Sequence, residues 1–149
     1  MEIFNNILCA TDGSESGLRA VQAAHKLTQL LGARLTVLHV APLRIADYMV
    51  PHNSMGGEDL FPSQLEERLK EHSTAILESV KATLNDANVE FLQQLGHPGD
   101  TICHLAKERG ADLVVVGCQG HSALRRLLLG STSDFVVHNC SATVMVIKD

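Results

Sequence analysis

The chain of 149 residues is 45% hydrophobic and 19% charged, the balance of a folded globular protein and not of a disordered segment. A net charge of −5, with no basic cluster beyond Arg125-Arg126, argues against a nucleic-acid partner, and an aromatic share of 3% leaves few platforms for stacked bases. No apolar run approaches the ~20 residues that a membrane-spanning helix needs, so no membrane partner is expected.

The length fits a single domain, 1–149. Its start, MEIFNNILCATDGS, has neither a basic n-region nor a long apolar stretch, so no secretory signal is expected and a cytoplasmic location follows. Ile3 to Ala10 reads as a buried strand that turns at Thr11-Asp12-Gly13-Ser14. Leu18, Val21, Ala24, Leu27 and Leu31 then form one helical stripe, which Gly32 ends. Arg34 to Val40 is a second short apolar strand. From Ala41 to about Pro62, prolines and the Gly56-Gly57 pair break any periodicity; a loop of this length tends to be a functional lid or a mobile segment.

Ser63 and Glu66 form a capping-box pattern before a long helix with Leu65, Leu69, Ile76, Leu77, Val80 and Leu84 on one face. Val89 to Leu95 is a third strand. Gly96 to Asp100 turns into a helix with Ile102, Leu105 and Ala106 inward, which Gly110 stops. Leu113 to Val116 is a strand apolar on both faces, so helices should cover both sides of the sheet. A glycine-punctuated loop, a helix starting near Gly130-Ser131 and a strand from Thr143 to Ile147 complete the chain. Cys9, Cys103, Cys118 and Cys140 form no C-x-x-C pair, so four reduced thiols are expected.

This order predicts an α/β fold with a mostly parallel sheet. Ligands in such sheets sit beyond the carboxyl ends of the strands, where strand order reverses. Two loops then matter, Thr11 to Ser14 and Gly117 to Ser131. In the second, Gly117 permits close backbone approach and Gly120 can turn its amide outward. Gly130 and Ser131 open a helix whose unpaired N–H groups favour an anion, and Ser131 and Thr132 add hydroxyls. Taken together these residues form a phosphate cradle, although glycines at such places also serve ordinary turns.

The spacing Gly117-x₂-Gly120-x₉-Gly130-Ser131 resembles the G-x₂-G-x₉-G-(S/T) pattern of the ATP-binding branch of the universal stress protein family. The run Ile7 to Glu15, with its Thr11-Asp12-Gly13-Ser14 turn, is similar to that family's opening motif, and Leu38-His39-Val40 and Asp112 to Gly117 also fit. Ala10 stands where many relatives place Pro, which affects loop stiffness. The resemblance covers essentially the whole chain. It implies a five-stranded parallel open sheet in the order 3-2-1-4-5, Rossmann-like, with helices on both faces.

It further implies ATP as ligand, with ADP or AMP as alternatives, carried with Mg²⁺ or Mn²⁺. Asp12 and Val40 would hold the adenosine, Gly117 and Gly120 would line the ribose and first phosphates, and Gly130, Ser131 and Thr132 would take the outer ones. Ala10, Thr11 and His121 join the same set. A homodimer through the C-terminal edge strand and an unidentified protein partner complete the expectation.

Other readings of single residues stay open. Asp12 also suits a helix N-cap. His121, Arg125 and Arg126 suit phosphate or solvent. Cys118 reads as a small filler and His39 as a strand-end histidine at the core, while Asp100 and His104 form only a weak metal pair. The sequence carries no Walker, nucleophile-elbow or H-E-x-x-H motif, so any hydrolysis should be slow. A nucleotide-responsive regulatory module is the leading reading. A nucleotide-independent interaction module and a slow ATPase or phosphotransferase are the alternatives.

Overall fold

A computed structural model describes residues 3–43, 62–119 and 129–149; Gly120, His121, Arg125, Arg126 and the segment 44–61 lie outside the described residues. In chain order come β1 (Asn6–Ala10), α1 (Glu15–Leu31), β2 (Arg34–Pro42), α2 (Pro62–Leu84), β3 (Val89–Gly96), α3 (Pro98–Glu108), β4 (Leu113–Gly117), α4 (Ser131–Asn139) and β5 (Thr143–Ile147). The strands form one parallel sheet in the order β3-β2-β1-β4-β5. This is the order that the sequence resemblance implies.

Side-chain alternation along the strands builds two cores. Ile7 and Cys9 of β1, Val37 of β2 and Val115 of β4 face α1 and α2, packing with Val21, Ala24, Leu77 and Val80. Leu8, Leu38, Val114 and Val116 face the other way, onto Ile102, Leu105, Ala106 and Val136 of α3 and α4. Because every second residue points to the opposite face, a central strand must be apolar throughout to fill both layers. The Leu113–Val116 run meets this demand.

Several boundaries differ from the sequence reading. β1 begins at Asn6, not Ile3, because the Asp112 carboxylate takes the Asn5 and Asn6 N–H groups and fixes where the ladder starts. β2 continues to Pro42, so the loop begins two residues later than expected. Leu31 is largely exposed, because the buried stripe of α1 runs through Ala20, Val21, Ala24 and Thr28. Ser63 lies inside α2, which already starts at Pro62, and Glu66 pairs with Lys70 at 2.9 Å. A proline at the first helical position costs no hydrogen bond, so the helix extends back to it.

The expectation of four reduced thiols is also corrected. Cys103 of α3 is bonded to Cys140, the C-cap of α4, with Cα atoms 4.8 Å apart. The two helices lie side by side on one sheet face, and that proximity is invisible at a sequence separation of 37. Cys9 and Cys118 are free and buried.

Candidate functional site

The strand order makes β1 and β4 neighbours, so the turn after β1 and the described residues 117–119 at the end of β4 meet at one end of the sheet. Two helices start there. The start of α1 is satisfied from within. Ser14 is its N-cap and its hydroxyl accepts from the Gly17 N–H at 3.1 Å, while the Asp12 carboxylate accepts from the Ser14 N–H at 2.9 Å. Asp12 is therefore not the N-cap; it fixes the turn before it, with Gly13 at φ +79° and packed under Ile76 of α2.

The start of α4 is different. Its N-cap is Gly130, which has no side chain to offer. The Gly130 N–H donates to the Cys118 carbonyl at 2.7 Å, and the Ser133 hydroxyl donates to the same oxygen at 3.1 Å. The Gly130 amide is thus spent on holding the loop. The first N–H groups of the helix, on Ser131 and Thr132, must be satisfied from outside it. Ser131 is exposed and Thr132 half-buried, and the positive end of the helix dipole lies between them. Three features favour an anion over a cation there: uncapped amides, two hydroxyls and a helix N-terminus.

Gly117 ends β4, and a Cβ on it would stand 2.8 Å from the Ser16 carbonyl oxygen. The reason for glycine visible in the fold is close approach of the α1 start. The Ser16 hydroxyl also accepts from the Gln119 N–H at 3.3 Å and lies 3.7 Å from the Cys118 sulfur. Cys118 is buried, as a filler between the two helix starts.

Thr11 is buried beside Asp12, with its N–H on the Leu38 carbonyl and its hydroxyl accepting from Gly13. Ala10 pairs with Leu38 at the end of β1. Val40 lies further along β2, opposite Gln94, with its side chain in the α3–α4 core, so only its backbone can face a ligand at the strand ends. Neighbouring His39 is buried, with Nδ1 2.7 Å from the Ser73 hydroxyl of α2 and an edge-on contact to His72. Burial holds its pKa below the usual imidazole range, His72 adds to this, and the Asp12 charge opposes it.

A model of the universal stress protein family matches residues 4–148. The chain belongs to the universal stress protein family. It is 31% identical over 152 residues to universal stress protein YxiE of Bacillus subtilis, covering 98% of this chain and 100% of that one. The solved structure of protein MJ0577 superposes with a TM-score of 0.81 at 25% identity, covering 99% of this chain and 97% of that one; the protein is from Methanocaldococcus jannaschii. A universal stress protein in complex with cAMP superposes at 0.70, also with 25% identity and 97% coverage of each chain. The sheet here is the Rossmann-like α/β sheet of these family structures.

Within this universal stress protein fold, sequence reasoning missed the residues that assemble the site without facing a ligand. Ser16 and Gly17 let the α1 start press on the strand ends; a Cβ on Gly17 would stand 2.6 Å from the Thr11 hydroxyl. Ser133 ties α4 to Cys118, and Ser73 anchors His39. The only signal was the small residues Ser14, Ser16 and Gly17 around the helix start, which suit a close approach. Among the described residues no group of three His, Cys, Asp or Glu side chains is placed to hold a metal ion. Asp100 pairs instead with His97, and His104 with Glu108. Among the described residues two open hollows lie away from the ends of β1 and β4: one of about 710 Å³ between β3 and α3, and one of about 370 Å³ between α2 and β3. Charged side chains such as Glu108 and Arg109, or Glu66 and Lys70, line them.

Proposed function

We propose that this chain binds an adenine nucleotide, foremost ATP with Mg²⁺ or Mn²⁺, across the carboxyl ends of β1 and β4, and acts as a nucleotide-responsive regulatory module. The observation that carries this reading is the start of α4, where Gly130 supplies no side-chain cap and the first-turn amides of Ser131 and Thr132 have no partner within the helix. Phosphate oxygens suit those donors. Asp12, held by its bond to Ser14, suits an adenine amine or a ribose hydroxyl, and Val40 offers backbone beside it. The family neighbour in complex with cAMP supports an adenine ligand on this fold. Gly120 and His121 join the proposed set by sequence alone.

A divalent ion would come as a companion of the phosphates. When bound, it would neutralise phosphate charge. With no Walker, nucleophile-elbow or H-E-x-x-H motif in the sequence, turnover should fall below roughly 1 s⁻¹, the low end for enzymes.

The test is differential scanning of the protein with and without ATP–Mg²⁺, on wild type and on Ser131→Glu. A ligand held only by the native state at a hundred times its Kd stabilises it by about 2.7 kcal/mol. Wild type should show an upward shift in Tm. A carboxylate in the first turn complements the helix dipole, so Ser131→Glu should stay folded, yet it should repel phosphate and abolish the shift. A wild-type Tm indifferent to ATP–Mg²⁺ overturns the reading.

A further inference from the structure

Cys103 and Cys140 play no part in the nucleotide reading, yet they lie where they can govern it. Cys103 sits half-buried on α3 beside the apolar cluster that α3 and α4 share, and Cys140 ends α4. Their bond closes a chain loop that contains β4, the Gly117-Cys118-Gln119 strand end and the whole of α4. α4 is only nine residues long, with Ser133 and Val136 as its buried residues and no side-chain cap at its start. Besides Val136 in the shared core, it meets the start of α3 through Phe135, which lies over Gly99 and contacts the His97 ring at 5.5 Å between centroids. So short a helix has little stability of its own and depends on what fastens it.

We propose that Cys103–Cys140 is a reversible thiol–disulfide site whose state sets how firmly α4, and with it the start at Ser131 and Thr132, is held. The effect on a bound nucleotide rests on the function proposed above; the effect on the helix does not. The oxidant class is a low-molecular-weight disulfide. One cysteine thiolate attacks a sulfur of that disulfide, a small thiolate leaves, and a mixed disulfide forms. The second cysteine thiolate attacks the protein sulfur of the mixed disulfide, closes the Sγ–Sγ bond and expels the second small thiolate. The protein gives up two electrons and two protons, and two small thiols carry them away. A dithiol reverses the sequence. Cys9 stands apart, because burial pushes its thiol up and keeps it protonated and unreactive.

The experiment equilibrates the full chain with oxidised glutathione or with dithiothreitol, then alkylates it after denaturation. Of the four cysteines, only Cys9 and Cys118 should be labelled in the oxidised sample and all of them in the reduced one. Hydrogen exchange over peptides spanning 129–139 should be about tenfold slower in the disulfide form, as local opening is suppressed. Cys103→Ser and Cys140→Ser should lose the dependence on oxidant. Labelling of Cys103 and Cys140 after oxidised glutathione, or equal exchange of 129–139 in the two wild-type states, overturns the proposal. ATP–Mg²⁺ binding is read separately on both forms. Absence of binding in both would remove the nucleotide reading and leave the exchange data to judge the clamp.

Discussion

A Cβ added at Gly117 would meet the Ser16 hydroxyl, carbonyl carbon and carbonyl oxygen at 2.6 to 2.8 Å, closer than side-chain carbons sit to backbone. Ser16 belongs to the first turn of α1, so its carbonyl retreats only if the helix start moves. Gly117→Ala should therefore cost about 1–3 kcal/mol of stability, as overpacking does. The fall should appear as a lower urea midpoint at unchanged m-value; an unchanged midpoint would mean that the α1 start gives way freely. The sequence pattern singled out this glycine as a place for a ligand to come close. What it could not contain was Ser16, which only the folded chain brings alongside. Asp12 is a similar case: the T-D-G-S run gave the turn, but the choice of Ser14 as the cap depends on which backbone N–H each side chain reaches.

At the scale of elements, β2 and α2 are joined by the buried bond between His39 and Ser73. Burial and His72 both disfavour the imidazolium there, and only Asp12 favours it. The folded pKa lies below the unfolded value of 6.5. The contribution is therefore complete above pH 6.5 and is lost as pH falls through the lowered folded value, because the unfolded chain takes up the proton first. Wild type should be less stable to urea at pH 5.5 than at pH 7.5. His39→Gln should flatten that difference, and an equal difference in both proteins would assign the titration to another group. Asp86 acts at lower pH. Its bonds from His25 and Asn88 depress its carboxyl, so that contribution fades only as pH falls through the depressed value. The sequence located both helices and strands from their apolar periods, and missed these links because a buried polar pair leaves no period.

At the scale of the molecule, β5 is an edge of the sheet, and its residues Val144 to Ile147 are only half-buried although apolar. An edge of that kind presents unpaired backbone and apolar surface together, and pairing with a second copy covers both. A homodimer through β5 is the expected state, and sedimentation at micromolar concentration should show it. Met145→Lys should weaken the dimer by about tenfold or more, since a charge on an edge strand opposes pairing. A wild-type monomer at that concentration would rule the interface out.

Sequence alone determined the alternation of strands and helices, the parallel class of the sheet and the places of the loops after β1 and β4, because apolar periods and glycine spacing are local and leave a direct trace. The family resemblance supplied the strand order that brings those loops together. Tertiary structure decided the rest: which amides of the cradle are already spent, why Gly117 is glycine, and that Cys103 meets Cys140. Each of those depends on groups far apart in the chain, brought to contact distance by helices docking on the sheet, and no local pattern records that distance.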